Sequence, residues 1–157
     1  PLARRDEPAR DGLEEVDFQF APNPGEPLKP LRVTASSGEM SRVLLAVKSA
    51  LAKQDAIPLM VFDEIDANVG GAISEAVGRK MAALAERHQV IAITHMPQLA
   101  SLAKSQFVVT KEFDAKRTRS TLSEVKGKDR VAELARMLGG KAESAKAHAE
   151  SLLAAAR

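Results

Sequence analysis

The order of patterns along the chain predicts an α/β fold, layered, with mainly parallel central strands and flanking helices. Three observations carry that expectation. The run Pro58-Leu59-Met60-Val61-Phe62 is continuously apolar, as in a central strand covered on both faces. A second run at 90–94 repeats the pattern, and stretches with helical apolar spacing lie before, between and after the two.

Taken in order, residues 1–12 are dense in charge, carry two prolines and show no apolar period, so they read as a frayed end or linker. Residues 15–20 alternate polar positions with Val16, Phe18 and Phe20, the period of a half-buried strand, and stop at Pro22-Asn23-Pro24-Gly25. A short strand is expected at 31–34. Met40, Val43, Leu44, Val47 and Leu51 then form a helical stripe that begins after Ser36-Ser37-Gly38-Glu39. The strand at 58–62 ends in Asp63-Glu64-Ile65-Asp66, and a break at 68–71 precedes a helix with the stripe Ile73, Val77, Met81 and Leu84. The strand at 90–94 ends at His95, where Pro97 suits the first turn of a short helix reaching about Ala103. Strands at 106–112 and 119–124 flank a charged turn, and helices around 128–138 and 142–155 are separated by Gly139-Gly140.

Composition narrows the chemistry. The 157 residues are 45% hydrophobic and 28% charged, enough for one domain with a core. The longest uncharged apolar stretch, 56–62, is far below the roughly 18 residues that a membrane-spanning helix needs, and no secretory pattern opens the chain, which makes it a cytosolic candidate. The absence of cysteine excludes disulfides, thiol catalysis and cysteine-based zinc sites; His88, His95 and His148 show no ligand spacing. With 23 basic and 21 acidic residues the net charge is +2, which neither implies nor excludes nucleic acid. The lack of Trp and Tyr argues against stacking platforms for single strands. The chain starts at Pro1 and reads as a piece of a longer protein.

Ligands of open α/β sheets sit beyond the carboxyl ends of the strands. Asp63 and Glu64 stand at one such end, where one carboxylate can hold Mg²⁺ through its water shell and the other polarise a water for attack on phosphorus. The plainer alternative is an acidic helix start. His95 ends the other strand and could contact a terminal phosphate or orient that water, or simply be an exposed strand-end histidine. Ser36-Ser37-Gly38-Glu39 offers hydroxyls, a glycine and helix-start N–H groups suited to phosphate, or else an ordinary N-cap with a capping box. No G-x-x-x-x-G-K-[ST] loop occurs: Gly127-Lys128 continues into Asp129 and Gly140-Lys141 into Ala142. The basic turn Lys116-Arg117-Thr118-Arg119 and the group Lys126, Lys128 and Arg130 could touch DNA phosphates or be solvated surface.

The order Ala35-Ser36-Ser37-Gly38-Glu39, Leu59-Met60-Val61-Phe62-Asp63-Glu64, Ile93-Thr94-His95 is similar to the C-terminal half of an ABC-type ATPase, with 27 residues from Ser36 to Asp63 and 31 from Glu64 to His95. The longer stretches narrow it: Ala35 to Arg42, Phe62-Asp63-Glu64-Ile65-Asp66 with Gly70-Gly71, Thr94-His95-Met96-Pro97-Gln98-Leu99-Ala100, and Glu133-Leu134-Ala135-Arg136-Met137-Leu138-Gly139-Gly140. Together they resemble the SMC-like branch of that family that acts in DNA double-strand-break repair and recombination, from about Val16 to the C-terminus.

That resemblance implies a P-loop-NTPase-type lobe at 13–157 that closes a head split in sequence. Residues 1–12 would come from an excised coiled coil, and the Walker A lobe and Q-loop would lie on an absent N-terminal segment. It implies an ATPase using ATP and Mg²⁺ in the bacterial cytosol, near the nucleoid, and inactive as this fragment alone. Two heads would sandwich ATP as a homodimer, with DNA as a partner of the whole protein. By the same resemblance Ser36, Ser37, Gly38 and Glu39 form the ABC signature acting in trans, Asp63 and Glu64 the Walker B pair (metal and catalytic), Asp66 and Asn68 the D-loop, and His95 the switch histidine. Ser37 departs from the family, which usually has the first glycine of Ser-Gly-Gly-Glu there. Two rivals are a Toprim-like Mg²⁺ site for DNA processing, against which the Asp63-x-x-Asp66 spacing weighs, and a non-catalytic assembly module docking through the last two helices. A sheet edge left uncovered by a missing lobe predicts association or poor solubility.

Overall fold

The computed structural model describes residues 2–10, 12–21, 23–54, 56–114, 117–140 and 142–156. Its body is mixed α/β. The central feature is a parallel pair, β5 (Leu59–Phe62) and β6 (Gln89–Ala92), in register Leu59 to Gln89 through Phe62 to Ala92. Three helices cover one of its faces: α2 (Ser37–Leu51), α3 (Gly71–Leu84) and α4 (Pro97–Ser101). Leu45 from α2, Met60, Phe62 and Ile65 from β5 and the loop after it, Val77, Met81 and Leu84 from α3, and Leu99 from α4 form the main core. Helices α3 and α4 meet closely because Gly78 has no side chain; a Cβ there would stand 2.7 Å from Leu102 Cδ1 and 3.3 Å from the Leu99 backbone.

A second, smaller core joins α5 (Gly127–Met137) and α6 (Glu143–Ala155) to α4 through Ala100, Leu134, Ala135 and Ala149. Arg130 fastens the two cores together. Its Nη2 donates to the carbonyls of Ala100, Ser101 and Ala103 at the end of α4, at 3.2, 3.1 and 2.6 Å, and its Nε donates to Gln106 Oε1 at 3.2 Å. Partial burial pushes this guanidinium below its usual pKa.

The remaining strands form antiparallel pairs: β1 (Leu2–Ala9) with β2 (Gly12–Val16), β3 (Gln19–Phe20) with β4 (Lys29–Pro30), and β7 (Gln106–Asp114) with β8 (Arg117–Val125). Among the described residues one strand pair is therefore parallel and three are antiparallel.

Several expectations are corrected. Of the stretch read as a frayed end, Leu2–Ala9 is a strand, with Arg4 opposite Glu14 across the ladder; Pro1 and Asp11 lie outside the described residues. The strand expected at 15–20 is interrupted at Asp17 and Phe18, and Pro22 of the following turn is also outside the described residues. The strand expected at 31–34 is instead α1 (Leu31–Thr34), one helical turn. Leu31 N–H donates to Phe18 O at 2.8 Å, and Ala35 N–H closes the turn on Leu31 O at 3.1 Å. Strand β5 is not covered on both faces: Met60 and Phe62 are buried, but Leu59 and Val61 are 48% and 56% exposed because helices pack on one side only. Along α2 the expected stripe is exposed at Met40, Leu44, Val47 and Leu51, and Leu45 turns to the core. Ile73 is likewise exposed, and Ser74 is buried beside it.

Candidate functional site

The start of α2 is set by local chemistry. Ser36 is its N-cap, and Ser36 Oγ accepts from Glu39 N–H at 3.3 Å. Glu39 Oε2 in turn accepts from Ser36 N–H and from Ser36 Oγ–H, both at 2.8 Å, a complete capping box. The Ser36 backbone N–H, and after it the Ser36 hydroxyl, hold the Glu39 carboxyl below the usual carboxylate range.

This helix start lies against the loop that leaves β5. Ser37 Oγ donates to Glu64 Oε2. Ser41 Oγ donates to Asp63 O at 3.0 Å, and Arg42 Nη1 donates to Ile65 O and Ala67 O, both at 3.2 Å. Gly38 is what permits this approach, since a Cβ there would stand 3.0 Å from Glu64 O, 3.1 Å from Ala67 Cβ and 3.1 Å from Arg42 Nη1. Within the loop, Asp63 Oδ1 accepts from Glu64 N–H at 2.9 Å, and Ala67 N–H donates to Glu64 O at 2.9 Å. Glu64 and Asn68 adopt left-handed backbone, with φ of 54° and 58°, a conformation that side-chain-bearing residues seldom hold without support from their surroundings.

A buried carboxylate joins the same loop to the end of β6. Asp66 is 1% exposed. Its Oδ2 accepts from Thr94 Oγ1–H, from His95 N–H at 3.2 Å and from Met96 N–H at 3.3 Å. The His95 ring is mostly exposed, with Nδ1 3.6 Å from the same oxygen. The structure thus brings Ser37 to Glu64 directly and ties His95 to Asp66, while Asp63, Glu64 and Asn68 remain exposed. It also engages two residues that sequence reasoning assigned otherwise or passed over. Asp66 acts as an internal anchor, and Arg42, four residues after Gly38 on the same helix, braces the β5 loop. All three donors fall on one oxygen of Asp66, Oδ2, in a residue that is 1% exposed, so this carboxylate is turned into the fold and away from the exposed Asp63.

Elsewhere, His88 is buried between two backbone carbonyls, with Nδ1 2.8 Å from Ile57 O and Nε2 3.3 Å from Ala52 O, a structural role. Of the basic groups considered for DNA, Lys126 pairs with Glu124 at 2.7 Å and Arg130 is spent on α4, while Lys116 lies outside the described residues. An open cavity of about 550 Å³ between α4, α5 and α6 is lined by Lys104, Lys128 and Leu153 among others, and shares no residue with the β5–β6 edge. Among the described residues no helix is long and apolar enough to cross a membrane.

Comparison with known proteins follows the same line. The chain is 47% identical over 148 residues to the DNA repair protein RecN of Streptomyces coelicolor, which covers 93% of this chain and 26% of that protein. It is 45% identical over 142 residues to RecN of Xylella fastidiosa, with 90% and 26% covered, and 44% identical over 149 residues to RecN of Deinococcus radiodurans, with 94% and 26% covered. The chain therefore spans about a quarter of the length of the curated relatives it matches. No family model matches it. Among solved structures it is similar in fold to a chain from work on ATP-driven dimerization and DNA stimulated activation of SMC ATPases, with TM-score 0.51 at 20% identity over 75% of this chain and 70% of that one.

Proposed function

From the premise that the chain is RecN-like over nine-tenths of its length, we propose that residues 13–157 are the C-terminal lobe of an SMC-like ATPase head that hydrolyses ATP in DNA double-strand-break repair. The observation that carries the reading is the meeting of three segments at one sheet edge: the start of α2, the loop after β5 and the loop after β6, joined by Ser37 to Glu64 and by Asp66 to Thr94, His95 and Met96. In this reading β5 and β6 belong to a mainly parallel P-loop-type sheet, completed at its open edge by an N-terminal Walker A lobe. Residues 1–12 lead toward a coiled coil. The chain by itself is inactive.

Glu64, exposed at the strand tip, orients the attacking water, and His95, steadied through its backbone N–H by Asp66, contacts the γ-phosphate side of the same site. Ser36, Ser37, Gly38 and Glu39 face the γ-phosphate of nucleotide held by a second head. There Glu39 shapes the loop, because its carboxylate is committed to Ser36. Asp66 and Asn68 form the D-loop, with Asp66 acting from inside the fold.

Asp63 fits Mg²⁺ bound through water. It is an exposed hard carboxylate, and among the described residues no group of three or more His, Cys, Asp or Glu side chains gathers into a protein cage. Mg²⁺ ordinarily keeps several waters and takes one or two carboxylates plus phosphate oxygens. When bound, it neutralises charge developing on the β- and γ-phosphates.

The test is Glu64→Gln in the full-length protein. Nucleotide binding should persist while turnover falls by about 10² to 10⁴-fold. Normal hydrolysis by this variant removes the assignment. Mixing this chain with its N-terminal lobe should restore ATPase activity that neither part has alone.

A further inference from the structure

Resting on the ATPase reading, we propose that Ser37 is a positioning residue that parks Glu64 in the free head and releases it when the signature helix engages nucleotide on a second head. The argument begins with the supply of donors. Ser36 and Glu39 satisfy one another in the capping box, so the hydroxyl at the mouth of α2 that is turned toward the β5 loop is that of Ser37, and it is already given to Glu64 Oε2. A serine hydroxyl has one proton to donate. It cannot serve the carboxylate of its own chain and an incoming phosphate at once, so engagement of a phosphate by Ser37 frees Glu64.

The backbone around the contact is held independently. Ser41 fixes Asp63 O, Arg42 fixes Ile65 O and Ala67 O, and the close seat of Gly38 leaves the loop little room to shift. Loss of the Ser37 hydroxyl therefore releases the Glu64 side chain without dismantling the loop. Glu64 itself sits at a φ of 54°, and its carboxylate reaches the start of α2 through the Ser37 bond. The residue that sets the activity of one site is thereby read out by the helix that caps another. A glycine at position 37 carries no hydroxyl and makes no such link, so the coupling is a property of the serine.

The experiment has two arms, both on the full-length protein. In the first, carboxyl groups of nucleotide-free protein are labelled with a carbodiimide and glycine ethyl ester and mapped by peptide mass spectrometry. Ser37→Ala should speed labelling at Glu64 about threefold or more relative to Asp63, and Ser37→Thr should restore the slow rate. Equal rates at Glu64 in wild type and Ser37→Ala overturn the proposal. In the second, Ser37→Ala should raise kcat severalfold and raise KM, since the parked state is lost along with a phosphate contact, with Thr restoring both. A fall in kcat with unchanged labelling makes Ser37 a nucleotide contact only and likewise overturns the parking role. Absence of any turnover in wild type refutes the ATPase reading instead, and the labelling arm, which needs no nucleotide, still decides whether Ser37 restrains Glu64.

Discussion

The sheet edge around Asp63–His95 and the hairpin of β7 and β8 are opposites in how they are built. The hairpin is regular, a ladder in unbroken register from Gln106 opposite Val125 to Asp114 opposite Arg117, yet Phe107, Val109, Phe113 and Leu122 stand 56% to 79% exposed on it. The sheet edge has almost no regular structure. Its segments are nevertheless cross-linked by Ser37, Ser41, Arg42 and Asp66 over 22 to 30 positions of sequence. In the hairpin, backbone bonding joins two neighbouring segments of sequence, whereas at the sheet edge side-chain bonds fix distant segments against one another and hold the polar groups in place.

Substitution should separate the two regions. Asp66→Ala leaves the Thr94 hydroxyl and His95 N–H without their buried acceptor, while Met96 N–H keeps Thr94 Oγ1 at 2.9 Å, and should cost about 2 kcal/mol in urea unfolding, with loss of order in the loop after β6. A loss comparable to that of a surface change would mean that the anchor is dispensable. Gly38→Ala places a methyl against Glu64 O and Ala67, and about 2 kcal/mol should be lost by the same measurement. Glu39 sharpens the comparison through pH. Its pKa is lowered in the folded chain by the Ser36 donors, so its contribution is present above the ordinary carboxylate range and disappears as pH falls through the folded value. The gap in unfolding midpoint between wild type and Glu39→Gln should therefore be open at pH 7 and close below about pH 4. Phe113→Ser on the hairpin should change stability by no more than about 0.5 kcal/mol, and its visible effect should be weaker self-association in sedimentation.

The elements that the sequence made legible are those whose signals are local. The capping box of Ser36 and Glu39, the apolar run into Phe62, Pro97 at a helix start and the glycines after Met137 each specify structure within a few residues, and α2, β5, α4, α5 and α6 lie where they indicate. Strand β1 was hidden because both of its sides face solvent for most of its length, so no apolar alternation marks it; opposite charges such as Arg4 and Glu14 mark it only once the pairing is known. The turn at Leu31–Thr34 reads as a strand from Val33 and Thr34, but Pro30 and the bond from Leu31 N–H to Phe18 O decide otherwise. At the site, the residue types and their order were readable from the motifs. The contacts of Ser37 with Glu64 and of Arg42 with the β5 loop were not, because they join positions more than twenty residues apart and depend on how closely Gly38 lets two backbones approach.

Arg130 has a mechanical consequence. One guanidinium supplies the donors that finish α4, and that helix begins two residues after His95. Helices α5 and α6 are thereby hitched to the segment that carries the strand-end histidine through one short rod, so the placement of the C-terminal helix pair and that of His95 are set by the same five-residue helix.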